Sequence, residues 1–102
     1  MAKFRLTNKA QADLRRIGRD TQQNWGREQR NIYLGKLDSS FHQLADNPRI
    51  GRECSEVKQA YRFYHCERHL IFYRLLEADS IEIVRILHDR MDYLRHFVAD
   101  DA

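Results

Sequence analysis

The sequence predicts an α+β fold, in which an N-terminal strand and an antiparallel helical hairpin pack on a mostly antiparallel sheet that ends in a short C-terminal segment. Two amphipathic helical stripes fill the first half of the chain. Three runs rich in aromatic and β-branched residues fill most of the second half. The length of 102 residues suits one hydrophobic core and is too short for two. We therefore expect a single domain over residues 1–102.

The chain begins with a short strand that leads into a helix. Phe4-Arg5-Leu6 alternates apolar and charged side chains, which is typical of a strand. Thr7 or Asn8 then offers a helix N-cap, and Asn8 with Gln11 would make a capping box. A strand followed at once by a helix is the expected start of the fold.

The first helix is amphipathic and ends at Gly26. Its apolar face carries Ala10, Leu14, Ile17, Thr21 and Trp25. Arg15, Arg16 and Arg19 lie largely off that face. For Trp25, and for Tyr33 beyond the break, we expect ordinary packing in the core or the hairpin more than direct contact with a partner.

A second helix follows with almost no loop, so the two helices should form an antiparallel hairpin. Its apolar stripe consists of Leu34, Leu37, Phe41 and Leu44, which we expect to face the sheet. Asn47-Pro48 ends the helix, because proline cannot continue the helical hydrogen bonding.

The second half predicts a loop and an antiparallel meander. Residues 49–59 have no periodicity and read as a connecting loop. The strands are expected at 61–65, 69–76 and 81–88, separated by breaks of hairpin size. The helices should cover one face of the sheet and leave the other face open. Met91, Leu94, Phe97 and Val98 have near-helical spacing, and we expect residues 98–102 to be frayed.

The charge pattern favours an acidic partner or nucleic acid. Of 18 basic residues four are lysines, which leaves 14 arginines on a chain of net charge +3. Arginine binds carboxylate and phosphate through a planar fork, whereas a merely solvated surface usually uses lysine. A solvated arginine-rich surface explains the composition equally well. The absence of a long apolar run leads us to expect a soluble, cytoplasmic protein.

Few residue patterns favour a cofactor or a catalytic site. His65-Cys66-Glu67-Arg68-His69 offers metal-ligand atoms, but a zinc site needs three or four well-spaced ligands, so we expect no metal and no cofactor. The strongest catalytic option is metal-free ribonuclease chemistry, in which histidine moves a proton and arginines stabilise the charged transition state. Its candidate residues are Arg62, Arg85, His88 and Arg90. A histidine at the end of a strand is, however, more often structural than catalytic.

The ordered set of residues resembles the ParE branch of the bacterial RelE/ParE toxin superfamily. The resemblance runs from about residue 4 to residue 97. It includes Trp25-Gly26 and Asn47-Pro48 in the first half, and 69–74 and 83–92 followed by Arg95-His96 in the second. The ending His88-x-x-Met91-Asp92 belongs to the ParE pattern. No single motif is specific, but their order along the chain is.

The resemblance implies a non-enzymatic toxin of a type II toxin–antitoxin system that poisons DNA gyrase, a function linked to plasmid stabilisation. The expected gyrase contacts are His88, Arg90, Met91, Asp92 and Arg95. The alternative is a ribosome-dependent mRNA endoribonuclease of the RelE type, which would use Arg62, His88 and Arg90. However, no aromatic residue directly follows His88, and only Lys58 stands where such nucleases have a lysine-rich stretch.

The resemblance also implies an antitoxin partner of the ParD kind. Such a partner should be acidic and should fold as it wraps the toxin. We expect Arg62, Arg74 and Arg85 to contact it. Neither a membrane nor a specific nucleic-acid sequence is expected among the partners.

Overall fold

The computed structural model describes residues 3–54, 57, 58, 60–77, 79–95 and 97. Over these residues the chain forms β1 (Lys3–Leu6), α1 (Asn8–Trp25), α2 (Arg27–Asp46), β2 (Arg52–Glu53), β3 (Tyr61–Cys66), β4 (His69–Leu75) and β5 (Ser80–His88). A 3-10 turn at Pro48–Ile50 follows α2. The α+β fold predicted from the sequence is confirmed. The expected fraying of residues 98–102 concerns a part of the chain outside the described residues.

The sheet places the first strand beside the last. Its strand order is β1-β5-β4-β3-β2. β1 runs parallel to β5, with Phe4 opposite Ile81, and the other neighbouring strands are antiparallel. β2 lies within the segment that we expected to be a loop, and two residues are too few to show the alternation that reveals a strand.

Two local features start and join the helices. Thr7 is the N-cap of α1, since its hydroxyl accepts a hydrogen bond from the Ala10 amide at 3.0 Å. Asn8 is instead the first helical residue, so the capping box expected for Asn8 and Gln11 is wrong. Gly26 alone joins the two helices and adopts a φ of 92°, which only glycine reaches without strain.

The main core lies between the helical hairpin and one face of the sheet. Leu37, Phe41 and Leu44 of α2 are buried there, as the stripe predicted. From α1 the core receives Ala10 and Ile17, and from the sheet it receives the isoleucines of β4 and β5 and the ring of Tyr73. Leu34 is only partly buried, because it packs beside Gly18 of α1 at the side of the hairpin.

A second, smaller core covers the opposite face of the sheet. Its buried members are Cys54, Leu70, Phe72, Leu87 and Phe97. The expectation that this face stays open is therefore wrong over most of β4. Aromatic side chains of the C-terminal segment are available to cover it, and burying them removes a large apolar area from water.

A β-bulge in β5 gives α1 access to the edge of the sheet. Phe72 lies opposite Arg85 but Tyr73 lies opposite Ile83, so Val84 is an extra residue in β5. Thr7 donates from its hydroxyl to the Val84 carbonyl at 2.7 Å.

Neither described helix has the length and apolarity needed to cross a membrane.

Candidate functional site at the end of the sheet

The C-terminal segment, residues 88–97, begins where β5 ends and is anchored by its own backbone. The Asp89 amide donates to the Arg68 carbonyl at 2.9 Å, and the Met91 amide donates to the His88 carbonyl at 3.0 Å. The Asp92 carboxylate then accepts a hydrogen bond from the Arg95 amide at 3.3 Å and caps a short helical turn. The start of the segment is thus held against the turn between β3 and β4.

The segment docks through one face of its helical turn and leaves other apolar side chains exposed. Phe97 is buried, with its ring centroid 5.0 Å from that of Phe72, and the Tyr93 ring lies 5.2 Å from the same ring. Met91 and Leu94 are 39% and 40% exposed. Of the three apolar side chains with near-helical spacing, Met91, Leu94 and Phe97, only Phe97 is buried. Residues 93 and 97 share a helical face, whereas 94 points elsewhere and 91 precedes the turn.

Two histidines from neighbouring strands lie side by side at this end of the sheet. His69 of β4 is opposite His88 of β5, and their rings meet edge to face with centroids 5.3 Å apart. The Tyr33 hydroxyl of α2 lies 2.6 Å from Nδ1 of His69 and accepts the Arg68 amide at 3.2 Å. Because the Tyr33 oxygen already accepts one hydrogen bond, we assign its proton to the bond with His69. His69 then carries its own proton on Nε2.

The environment favours the uncharged forms of His69 and Tyr33. Burial, together with the neighbouring His88, lowers the pKa of His69 to about 4. Burial also raises the pKa of the Tyr33 hydroxyl. His88 accepts the Arg90 amide on its Nδ1 at 3.1 Å. His69 and His88 thus form a hydrogen-bonded platform beneath the C-terminal segment.

A cleft of about 490 Å³ leads from this platform to the end of the helical hairpin. Its lining includes Trp25, Tyr33, His69 and His88. The Trp25 side chain is 68% exposed, so the expectation that it packs in the core or the hairpin is wrong. Trp25 is the last residue of α1, one position before the Gly26 turn, and it follows Ile17, the last buried apolar residue of the helix, by two turns.

The sequence cluster at 65–69 is divided between different surroundings. His65 is exposed and lies 3.1 Å from an Asp89 carboxylate oxygen. Cys66 is buried, with its sulfur 3.8 Å from the Lys36 carbonyl. Among the described residues no group of three His, Cys, Asp or Glu side chains is placed to hold a metal ion. His65, Cys66 and His69 therefore do not converge on one point.

The three arginines expected to contact a partner are each paired with a carboxylate. Arg62 donates to the Gly51 carbonyl at 2.7 Å and lies 3.2 Å from Glu53. Arg74 lies 2.8 Å from Glu82. Burial opposes ionisation of Glu82, but the hydrogen bonds from Arg74 and Arg5 outweigh it and lower the pKa of Glu82.

Arg85 is buried inside the protein, so it is not available as a contact for the antitoxin. Only 7% of its side chain is exposed, and its guanidinium binds both oxygens of Asp13 at 2.8 and 3.0 Å. The sequence reasoning gave Asp13 no role of its own. Its position between Ala10 and Ile17, on the apolar face of α1, could have predicted an internal ion pair. A carboxylate on such a face is buried and therefore requires a partner.

The residues of the ribonuclease alternative do not come together. Arg62 lies opposite Tyr73 of β4, whereas His88 lies opposite His69 of the same strand. Four residues of a strand correspond to about 13 Å, and β3 and β5 are also separated by β4. Arg90 is exposed beyond His88. Arg62 and His88 thus occupy opposite ends of the sheet.

Comparison with known proteins gives one consistent result. The sequence model of a family described as "ParE toxin of type II toxin-antitoxin system, parDE" matches residues 4–93. Toxin ParE1 of Mycobacterium tuberculosis is 39% identical over 95 residues, which cover 93% of this chain and 97% of that protein. Toxin ParE of Escherichia coli is 36% identical over 94 residues, or 92% of this chain and 91% of that protein.

Among solved structures, a chain described as "Chromosomal ParDE TA system from P. aeruginosa" has the same fold. It superposes with a TM-score of 0.72 and covers 86% of this chain and 96% of that one. The two sequences are 21% identical, so this likeness concerns the fold alone.

Proposed function

The chain belongs to the family of ParE toxins of type II toxin–antitoxin systems, and on this basis we propose that it arrests growth by inhibiting DNA gyrase until a cognate antitoxin neutralises it. The observation that carries the proposal is the family match over residues 4–93, which includes the His88-x-x-Met91-Asp92 ending. Since gyrase works on DNA in the cytoplasm, the toxin acts there.

The C-terminal segment is the proposed contact surface for gyrase. Met91 and Leu94 expose apolar side chains within a charged rim, the usual composition of a protein–protein contact. The contact candidates are His88, Arg90, Met91, Asp92 and Arg95. Four of them are exposed, and His88 is half-buried with 39% of its side chain exposed. The anchored start of the segment presents these side chains with little loss of conformational freedom on binding.

We propose a binding toxin and not an enzyme. Ribonuclease chemistry would require Arg62 close to His88, and the sheet separates them. His88 also uses its Nδ1 to accept the Arg90 amide, which is a structural task. No described contact favours the ribonuclease over the gyrase inhibitor.

The proposed antitoxin is a ParD-like protein that is acidic and folds on binding. Arg62 and Arg74 remain candidate contacts, with 16% and 43% of their side chains exposed. Both already lie beside a glutamate, so an acidic partner would have to compete for them.

One assay in two arms tests the function. Purified protein is added to gyrase with supercoiled plasmid, and in parallel to a translating extract. We expect broken plasmid DNA after denaturation of the gyrase reaction and intact mRNA in the extract. Cleavage of mRNA at codon positions, with gyrase activity unchanged, would reverse the assignment to the ribonuclease.

A further inference from the structure

The cleft between the platform of His69 and His88 and the end of the helical hairpin is lined by rings and polar groups. We call it the aromatic cleft; its volume of about 490 Å³ lies within the range of small-molecule sites. Trp25, Tyr33, His69 and His88 supply its rings, and its other described lining residues are polar or charged. No described residue that lines it is a leucine, isoleucine, valine or methionine.

The rings of the aromatic cleft offer flat surfaces to a ligand. The Tyr33 and His69 rings meet edge to face with centroids 5.5 Å apart, next to the contact of His69 with His88. Trp25 is the one tryptophan of the chain, and it is exposed. Burial and the neighbouring His88 hold the pKa of His69 at about 4, so this ring is neutral near pH 7. A neutral ring packs against a second flat ring without the desolvation of a charge.

The polar residues at the cleft suit the edge of a nucleobase and a phosphate. The side-chain amides of Asn24 and Gln29 each combine a donor and an acceptor, and base edges present the same two kinds of group. Arg68 is exposed, and its backbone amide donates to the Tyr33 hydroxyl at 3.2 Å. Its guanidinium, which fits a phosphate well, has no carboxylate partner among the described residues.

The charges of the cleft limit the number of phosphates that it can bind. Lys36 lies 3.2 Å from Glu67, and Asp20 adds a second carboxylate to the lining. Arg68 is therefore the one cation among the described lining residues that has no carboxylate partner. A free nucleoside triphosphate carries several negative charges and would meet two carboxylates here. A nucleotide within a strand carries a single negative charge, which Arg68 can neutralise.

We infer that the aromatic cleft binds one unpaired nucleotide of a nucleic-acid single strand, with its base stacked on Trp25 and its phosphate beside Arg68. A base in a duplex is already paired and stacked, so it would have to be flipped out to enter. The aliphatic anchors of an amphipathic peptide would find no aliphatic pocket in this cleft. Stacking accepts every base, so no sequence preference follows. The inference goes beyond gyrase inhibition, because it concerns binding of nucleic acid by this chain alone.

The single tryptophan lets the binding be measured directly. Purified protein is titrated with a short single-stranded oligo(dT) that carries a fluorescent label, and both the fluorescence of Trp25 and the anisotropy of the label are recorded. We expect quenching of Trp25 and a rise in anisotropy over the same range of concentration. The matching duplex should bind more weakly by on the order of tenfold or more, because its bases are paired.

Matched variants of the full chain locate the binding within the cleft. Trp25→Ala should weaken oligonucleotide binding about tenfold through the loss of stacking, whereas Trp25→Phe keeps a ring and should retain most of the affinity. The control Ile32→Ala removes an exposed apolar side chain of the same hairpin that does not line the cleft. Arg68→Ala should reduce the salt dependence of binding by about one phosphate contact, and Arg49→Ala, at an exposed arginine outside the cleft, should not. Circular dichroism checks that all variants are folded.

Several outcomes would overturn the inference while leaving the proposed function standing. One is a wild-type protein that does not bind the oligonucleotide, or that binds it without quenching of Trp25. Another is a folded Trp25→Ala protein with wild-type affinity, since the strand then binds elsewhere. A duplex bound as tightly as the single strand would show a general attraction to the arginines. Displacement of the strand by equimolar ATP would assign the cleft to a free nucleotide.

A protein occupant is tested with the same variants. If Trp25→Ala weakens binding to purified gyrase in the absence of DNA but keeps the oligonucleotide, the aromatic cleft is a protein-binding surface and the inference is wrong.

Discussion

At the scale of single residues, Asp13 explains how α1 is fixed to the sheet. It is 1% exposed and accepts hydrogen bonds from two guanidinium nitrogens of Arg85, from Arg16 at 2.9 Å and from the Ile86 amide at 3.0 Å. β1 ends at Leu6, so within the described part of the chain the edge of β5 beyond Ile83 has no neighbouring strand. Asp13 supplies the acceptor that a strand would otherwise provide.

We predict that Asp13→Asn lowers the free energy of unfolding by about 3–5 kcal/mol, because it leaves the buried Arg85 guanidinium without a counter-charge. Arg16→Ala is the matched control. Arg16 pairs with the same carboxylate but has 48% of its side chain exposed, so its loss should cost less than about 1 kcal/mol. Urea unfolding measures both. Equal losses of unfolding free energy in the two variants would show that burial of the ion pair between Asp13 and Arg85 does not increase its contribution to stability.

His69 gives the protein a pH dependence of known sign. Its pKa is lowered from 6.5 to about 4 by burial and by His88, so the unfolded chain binds the proton more readily between these values. The free energy of unfolding should therefore fall as the pH decreases from about 6.5 to about 4, and the full contribution is present above 6.5. In the His69→Gln variant, the midpoint of urea unfolding should depend less on pH across this interval. A variant with the wild-type slope would contradict the prediction.

At the scale of elements, α2 is held by its buried stripe. Leu37 is 0% and Phe41 2% exposed, so Leu37→Ala or Phe41→Ala should each lower the free energy of unfolding by about 2–5 kcal/mol. Ile32 of the same helix is 47% exposed, and Ile32→Ala should change it by less than about 0.5 kcal/mol. Chemical denaturation distinguishes the sites. Losses below about 0.5 kcal/mol at both Leu37 and Phe41 would show that the wrong face had been identified.

The C-terminal segment carries the sharpest functional prediction. Met91→Ala removes an exposed apolar side chain, so we expect loss of growth arrest with folding and antitoxin binding retained. His88→Gln should have a modest effect, because stalling gyrase requires no proton transfer. Growth assays and antitoxin titrations measure both properties.

The ribonuclease alternative requires the reverse pattern. Loss of a general acid or base typically removes about 10²–10⁴ of the rate. A folded His88→Gln protein that is inert, beside a fully toxic Met91→Ala protein, would therefore eliminate the gyrase assignment.

At the scale of the whole molecule, the sheet is covered on both faces, and Phe97 is the buried aromatic ring that the C-terminal segment gives to the second core. Phe97 is buried against Phe72 and Tyr61. We predict that Phe97→Ala lowers the free energy of unfolding by about 3 kcal/mol, and that deletion after Leu94 lowers it at least as much. Leu94→Ala is the control, since that side chain is 40% exposed. A truncated chain as stable as the wild type would show that the second core is dispensable.

Phe97 ties the C-terminal segment to the second core. Deletion after Leu94 removes Phe97 together with Arg95. Because Phe97 belongs to the second core, we expect the deletion to lower stability as well as any activity of the segment, so Met91→Ala is the cleaner test of function.

Much of the architecture could be predicted from the sequence because it follows from periodicity. The stripe of α2 and the alternating runs of β3 to β5 repeat over enough residues to identify helix and strand. The β2 strand, the second core and the parallel neighbour of β5 could not be predicted in this way. They depend on which distant segments meet, and local periodicity carries no such information.

The candidate site was predictable in part for the same reason. The C-terminal segment could be located from its resemblance, but Tyr33 and His69 become neighbours only through contact between α2 and β4. The carboxylate partners of the strand arginines could not be predicted, because they lie on other segments of the chain or of the sheet. Trp25 lay on the apolar face of α1 in the sequence pattern, yet the helix extends beyond its last buried apolar residue.

The pairing of β1 with β5 determines when the fold can be completed during synthesis. A ribosome makes Lys3–Leu6 more than 70 residues before Ser80–His88, so β1 waits through the synthesis of both helices and three strands for its neighbour. The helical hairpin can form early from local contacts, but the sheet closes only across nearly the whole chain. The complete sheet therefore forms only after β5 has left the ribosome. The segment after β5, which holds the proposed gyrase contacts, is made later still.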